Sequence, residues 1–338
     1  MMLIRPVKMG DLEQLEQLAI EVGVGMTSLP ARRDHLENKI QRSLESFVRE
    51  IIEPGEEIYW LVLEDAANGR VVGSCAILAS VGLTRPFYSY KILHLAHTSR
   101  ELDKYQPFRV LQMVNEYRGT AEIATLYLTP EYRKDRNGRF LSRCRFLFMA
   151  EFSSRVSETV IAEMRGVQDE RGHSVFWDSL GRHFFDMAFS KADFLSSLGN
   201  YQFIADLMPK HPIYICLLPP EAQAVIGITH EATRPALELL KQEGFRFDGC
   251  VDIFDAGPTI TCPLDQIRTV RESTRATVAE VVAAIESAEF MISTVHLDDF
   301  RVCRGNLRMH ADNTVSISRE VAGALGLRLG DKLRFVRL

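Results

Sequence analysis

Over residues 120–155, TAEIATLYLTPEYRKDRNGRFLSRCRFLFMAEFSSR, the spacing of apolar positions changes from that of a strand to that of a helix. Residues 121–128 are mostly apolar and β-prone, and Pro130, which has no N–H for a ladder, ends the strand. Leu141, Cys144, Phe148 and Phe152 then recur at helical spacing, and Asn137-Gly138 reads as the flexible turn between the two. Before this unit the pattern predicts a strand over 2–7 and a helix that Asp11 caps with Gln14 as its capping-box partner. Leu12, Leu15 and Leu18 mark the buried face of that helix. A glycine-rich loop over 23–30 (GVGMTSLP), open enough to wrap a ligand, leads into a helix over 31–50. Strands over 57–64 and 70–79 flank Asn68-Gly69, a hairpin signal. Residues 84–117 are less regular. His94 and His97 lie three apart in a strand-like stretch and so point to opposite faces, which does not make a metal pair.

Beyond the long helix, 158–166 reads as another strand, on which Glu163 and Arg165 alternate with Ala162 and Met164. An echo follows. Residues 176–189 (FWDSLGRHFFDMAF) read as a helix ending at glycine and then an aromatic strand. Residues 234–257 repeat that plan, with Gly244 before Phe245. Two copies about 60 residues apart suggest duplication of half a fold. The tail over 315–338 reads as strand, short helix, Gly-Asp turn and strand.

Composition narrows the class. A chain of 338 residues with 46% hydrophobic and 25% charged residues is ordinary for a water-soluble protein, and a formal charge of −5 gives no overall pull toward nucleic acid. The start of the chain lacks signal-peptide features, and no uncharged apolar run reaches membrane-spanning length. Six scattered cysteines, none in a C-x-x-C pair, point to thiols in a reducing compartment and to no metal site, so the chain is expected in the cytoplasm.

The candidate chemistry starts at the charged turn. Arg133, Lys134, Arg136 and Arg139 crowd one strand-to-helix turn against a single acid, Asp135, and a helix start offers unpaired N–H groups to an anion. Neither GxxxxGK[ST] nor GxGxxG occurs, so the nucleotide fingerprints do not apply. Elsewhere His230 stands just ahead of a helix that Pro235 helps to start. The dipole there lowers its proton affinity while Glu231 raises it.

The turn Arg133-x-x-x-x-Gly138 between a strand and a long helix resembles the acyl-CoA-binding segment of the GNAT N-acyltransferase superfamily, with Arg136 where the first glycine usually stands. Longer runs, among them IRPVKMGDLEQLEQLA, LYLTPEYRKDRNGRFLSRCRFLFMAEF, FWDSLG, MPKHPIY, EAQAVIG and DIFDAGPT, resemble the arginine N-succinyltransferase family over about residues 1–270. The resemblance implies an α+β fold, a GNAT-like mixed, mostly antiparallel sheet flanked by helices. With the echo it gives two GNAT-like halves, 1–190 and 191–285, and a β-rich segment over 286–338 packing on the second. It implies transfer of a succinyl group from succinyl-CoA, the acyl-donor substrate, to the α-amine of arginine, with no permanent cofactor. Leu126 would contact the donor, Arg133, Asn137, Gly138 and Arg139 would bind its phosphates, and His230 would be the proton donor. Glu163 and Arg165 are candidate contacts for arginine. A homo- or hetero-oligomer with a related subunit is expected. Two other classes stay open: a non-catalytic acyl-CoA-binding subunit, and a DNA-binding regulator acting through residues 301–338, where eight Lys/Arg face three acids.

Overall fold

The computed structural model describes residues 1–22, 26, 28–197 and 202–338. Strand β1 (Met2–Pro6) leads through a 3-10 turn into α1 (Leu12–Val22) and α2 (Arg33–Val48), and then β2 (Ile58–Asp65) and β3 (Arg70–Leu78) form the expected hairpin. Asp11 does not open α1 with Gln14. Its carboxylate accepts the Lys8 amide at 2.7 Å and pairs with Arg5 at 2.8 Å, while Gln14 accepts the Val71 amide at 2.8 Å. A buried arginine on β1 is the stronger partner for the acid, since a charged pair gains more than a neutral cap. Of the loop over 23–30, residues 23, 24, 25 and 27 lie outside the described residues.

The irregular stretch is a long hairpin, β4 (Ser89–Ser99) and β5 (Lys104–Val114), with His94 and His97 on β4. Next come β6 (Ala121–Leu128), α3 (Asn137–Glu151) and β7 (Thr159–Glu163). The predicted strand after Gly181 does not form. Residues 175–197 are instead three helices, α4 (Val175–Ser179), α5 (Gly181–Phe185) and α6 (Phe189–Ser197). Gly181 is there for contact: a Cβ would sit 2.3 Å from the Trp177 ring, so the glycine lets α5 close on that indole. Then come α7 (Gln202–Leu207), β8 (Ile213–Tyr214), α8 (Pro220–Val225) and α9 (Arg234–Glu243). Gly244, φ +108, ends α9 as the echo predicted, and β9 (Arg246–Val251) and β10 (Pro258–Pro263) follow.

The fold is a mixed, mostly antiparallel sheet flanked by helices. The second member of the echo does not found a sheet of its own: β10 pairs with β7, and β9 with β10, extending the sheet that β1 begins. The reason is visible in the strand faces. Val160 and Ala162 on β7 join Ile260 and Cys262 on β10 in the core that Ala121, Ile123 and the buried side of α3 also share. One continuous apolar face is covered by one long helix.

The C-terminal unit starts earlier, and sits elsewhere, than expected. After α10 (Arg268–Glu272) it comprises β11 (Thr274–Val282), β12 (Glu289–Thr294), β13 (Val302–Met309), β14 (Thr314–Ser318), α11 (Arg319–Leu325) and β15 (Lys332–Arg337). Five strands pair in a ring, β12-β15-β11-β14-β13 and back to β12, which removes open edges. The ring joins the sheet through β13 on β1, and it rests on α3 rather than on a second half. Charge fixes that placement: Glu151, at the end of α3 and 1% exposed, accepts Arg334 at 2.8 Å and also Arg275. Two of the basic side chains of 301–338, Arg304 over Phe140 and Arg334 on Glu151, are thereby turned toward α3.

Candidate acyl-transfer site

Strands β6 and β7 run parallel but pair only at Ala121 with Val160 and Glu122 with Ile161, after which they splay apart. The cause is a bulge. Ser74 of β3 pairs with Tyr127 and Ala76 with Ala124, so Thr125 and Leu126 together face Cys75. Thr125 takes φ +57, a conformation that a β-branched residue adopts only when its surroundings impose it. Those surroundings are well defined. Its N–H donates to Ser28 Oγ at 3.2 Å, its carbonyl accepts Ser74 Oγ at 3.1 Å, and its Oγ1 accepts Lys39 Nζ at 3.0 Å. Lys39 also donates to the Ser28 carbonyl at 2.5 Å and lies over the Trp60 ring at 4.8 Å.

The splay opens a cavity of about 800 Å³ between the two strands. Leu126, Glu163 and Arg165, all singled out in the sequence, line it together. Because Ala121, Ile123, Val160 and Ala162 face α3, Glu122 and Glu163 project to the opposite side of the sheet. Asp193, Asp252 and Asp255 close that side, so five carboxyl groups share one wall. Burial pushes Glu122 up to about 7, against the opposing pull of Lys39, and burial with Asp255 nearby pushes Asp193 up to about 7. Loss of water contact inside the cavity first, and then their acidic neighbours, raise Glu163 and Asp252 above the usual carboxylate range, although the Glu163 side chain stays open to the cavity's solvent. Asp255 is spoken for: it accepts the Gly166 amide at 2.8 Å and Gln168 Nε2 at 3.1 Å. Arg165 donates twice to Gln168 Oε1, at 2.7 and 3.2 Å, and faces Asp255 and Asp193. Cationic ligands suit this wall, and it holds protons that an arriving cation displaces.

That wall makes stability depend on pH in a definite direction. A carboxyl raised in the folded state contributes stability that is present below its unfolded value near 4 and is lost as the pH rises through the folded value. For Glu122 and Asp193 the loss runs from about pH 4 to beyond 7. His230 and His35, both lowered chiefly by burial, and Lys39, lowered by burial to about 8, act oppositely, three groups against four. Thermal unfolding without ligand is therefore expected at higher temperature at pH 6 than at pH 8. Asp193→Asn should shrink the difference, and an unchanged difference would contradict the assignment.

His230 is beside the cavity and is not among the residues lining it. Its segment runs antiparallel to the end of β7, with Thr229 opposite Gly166, and its amide donates to the Arg165 carbonyl at 2.8 Å. Nδ1 accepts the Ala232 amide at 3.1 Å, which places the proton of a neutral ring on Nε2.

The phosphate turn differs in detail from the sequence reading. Asn137 and Gly138 are the first residues of α3, and the turn itself is made by Asp135 and Arg136, with φ +51 and +60. Asn137 is buried: its amide donates to Lys134 and its Nδ2 to the Tyr132 carbonyl at 3.1 Å. Arg133 Nε donates to the Leu128 carbonyl at 2.9 Å. The barrel adds a cation, Arg304, which donates to the Asp135 carbonyl and lies over Phe140. Gly138, Arg139 and Arg304 thus converge at the start of α3, at the far end of the helix from Glu151.

The family model for the beta subunit of arginine N-succinyltransferase matches residues 2–269, and the model for the C-terminal domain of that beta subunit matches 274–337. The chain belongs to the arginine N-succinyltransferase family. Two curated relatives of that name bear this out along the full chain. The Yersinia pestis (strain Pestoides F) protein is 44% identical over 345 residues and the Enterobacter sp. (strain 638) protein 45% over 339, each alignment covering 100% of this chain and 98% of the relative. The solved arginine/ornithine succinyltransferase subunit AI from Pseudomonas aeruginosa superposes with a TM-score of 0.91 at 35% identity, covering 100% of this chain and 98% of that one. The chain is thus an acyltransferase, and its two matched regions are separated within α10, the second starting with β11, where the barrel begins. No helix among the described residues is long and apolar enough to cross a membrane.

Sequence reasoning missed Glu122, Asp193 and Asp252 as site residues. Glu122 is a lone acid in an apolar strand, AEIATLYL, and that misfit was the available signal. Asp193 and Asp252 come from distant segments that only the fold unites.

Proposed function

We propose that this transferase moves the succinyl group of succinyl-CoA to the α-amine of arginine, giving N2-succinylarginine and free CoA. The observation that supports it best is the cavity itself, in which an acidic wall suited to a dibasic amino acid faces the strand gap that a thioester would enter. The amides of Gly138 and Arg139, with Arg133 and Arg139 side chains, hold the donor's phosphates, and Asn137 fixes the turn from beneath. Leu126 lies against the acyl end of the donor, and the amides freed by the bulge meet the thioester oxygen, where one such donor is worth around 3 kcal/mol. Glu163 takes the guanidinium and Arg165 the α-carboxylate.

The proton balance then assigns two further roles. The α-ammonium must lose a proton before it can attack, and Glu122, ionised above about pH 7, takes it and passes it to solvent. After attack the nitrogen carries a second proton that must reach the departing sulfur. In this reading that proton passes from nitrogen to sulfur through water, while His230, whose Nδ1 accepts the Ala232 amide, offers its Nε2–H as a hydrogen bond to the departing thiolate. Holding donor and acceptor together makes the aminolysis effectively intramolecular, with no covalent enzyme intermediate. We place the enzyme in the cytoplasm, as an oligomer with itself or a related subunit.

The test is thiol release from succinyl-CoA and from acetyl-CoA, each with arginine, ornithine and lysine. Succinyl-CoA with arginine should be the fastest pair, and His230→Ala should lower its turnover on the order of 100-fold. CoA binding without release from any pair would refute the enzymatic reading.

A further inference from the structure

Helix α3 carries two buried arginines of opposite character. Arg143 is 2% exposed and fully accounted for: its Nε lies 3.1 Å from Glu243 and 2.9 Å from Thr269 Oγ1, and Nη1 donates to the Arg337 carbonyl at 2.9 Å. Arg145 is 1% exposed and is not. Its Nε donates to the Ser142 carbonyl at 3.0 Å and its Nη2 to Ser142 Oγ at 2.9 Å, both within the same helical turn. A guanidinium has five donors, and among the described residues no carboxylate meets the others. The groups that its charge faces are Cys75 and Cys144, buried free thiols rather than carboxylates. A buried cation without a counter-charge is among the costliest things a fold can hold, and it is kept only where something supplies the anion.

Arg145 lines the cavity, on the α3 side and across from the five acids. Arg165, a half-buried cation that also lines the cavity, already faces Asp255 and Asp193. An anion entering the strand gap therefore finds Arg145 unclaimed. Depth agrees with this. Arg145 is eight residues from Asn137, so at 1.5 Å per residue it lies about 12 Å along the axis from the phosphate-binding turn. A donor anchored by its phosphates at that turn would carry its acyl end, not its phosphates, to this depth.

We propose that Arg145 reads the terminal carboxylate of the acyl group, and so sets the preference for a dicarboxylic acyl thioester over a monocarboxylic one. This rests on the donor assignment above and deepens it. Burial lowers the proton affinity of Arg145, yet a guanidinium stays charged, so the subsite holds a permanent cation. A site built to bond a charged group rejects the analogue lacking it far more strongly than an apolar pocket rejects a missing methylene.

The test compares kcat/KM for succinyl-CoA and acetyl-CoA, at fixed arginine, in the full-length wild type, Arg145→Met and Arg145→Lys. In Arg145→Met the succinyl-CoA value should fall on the order of 100-fold while the acetyl-CoA value stays within about threefold or rises. Arg145→Lys, which keeps the charge but loses the fork, should lie between. Equal loss with both donors would show a structural role or contact with the CoA moiety, and unchanged succinyl-CoA kinetics would show no role; either overturns the proposal. Melting temperature without ligand should not fall in Arg145→Met, because an unpaired buried charge has been removed. If it does fall and the protein is lost, the Arg145→Lys donor ratio decides: an unchanged ratio overturns the proposal. A wild type that uses acetyl-CoA as well as succinyl-CoA would instead refute the donor assignment, whatever the variants do.

Discussion

Glu122→Gln should leave the protein folded and able to bind CoA while lowering turnover with arginine by roughly 100-fold or more, the usual worth of a positioned base. The substitution keeps the shape of the side chain and removes its proton affinity. Among the described residues the Glu122 carboxylate accepts no hydrogen bond, so little in the fold depends on it. In the wild type, turnover should rise with pH through about 7, as burial and Lys39 together set the Glu122 carboxyl there. In the variant this rise should be lost. Steady-state thiol release between pH 5.5 and 9 measures both effects, and wild-type turnover in the glutamine variant would remove Glu122 from the mechanism.

Gly257→Ala should damage stability and the site together. A Cβ at this position would lie 2.0 Å from the Met164 carbonyl oxygen and 2.6 Å from the Gly166 amide nitrogen. Both are backbone atoms of the segment that carries Arg165, so no side chain can swing away to make room. Either the β9–β10 turn or the end of β7 must move. Overpacking against backbone at a buried site costs about 3 kcal/mol or more, a fall in melting temperature on the order of 5–10 °C. Since Arg165 and Glu163 sit on the displaced segment, the KM for arginine should rise while that for the acyl donor changes little. Calorimetry and initial rates at varied arginine would check it. A variant as stable as wild type would show that the close approach is not required.

Most of the sheet was legible because its strands announce themselves through alternation and its turns through residues such as Asn68-Gly69. The long helix was legible for the same reason; Leu126, singled out by the family resemblance, and Glu163 and Arg165, singled out by alternation, all line one cavity. Three features were not legible, each with a physical cause. The echo of Gly181 with Gly244 failed because glycine serves two unrelated needs: Gly244 takes a positive φ, whereas Gly181 only makes room for Trp177. The Asn137-Gly138 turn failed because Asp135 and Arg136 adopt the left-handed conformation instead, held by the chain around them and by Arg304 from the distant barrel. The bulge at Thr125 has no local signature, since it depends on Ser28, Lys39 and Ser74, contributed by three other segments.

Those same long-range contacts build the chemistry. The splay between β6 and β7 follows from the bulge. The acidic wall follows from bringing 122, 163, 193 and 252 together, and Arg145 opposite it comes from α3, the helix whose start is the proposed phosphate site. One helix thus reaches both ends of the proposed donor, while the strands on its open side receive the acceptor.

The central claim is that succinyl passes to the α-nitrogen of arginine in this cavity. Incubation of the purified full-length protein with succinyl-CoA and α-15N-labelled arginine, followed by fragmentation mass spectrometry of the product, tests it most directly. The account predicts a succinylarginine whose acyl group is retained on the labelled nitrogen. Acylation of the guanidino group instead, or thiol release without an acylated amino acid, would contradict it.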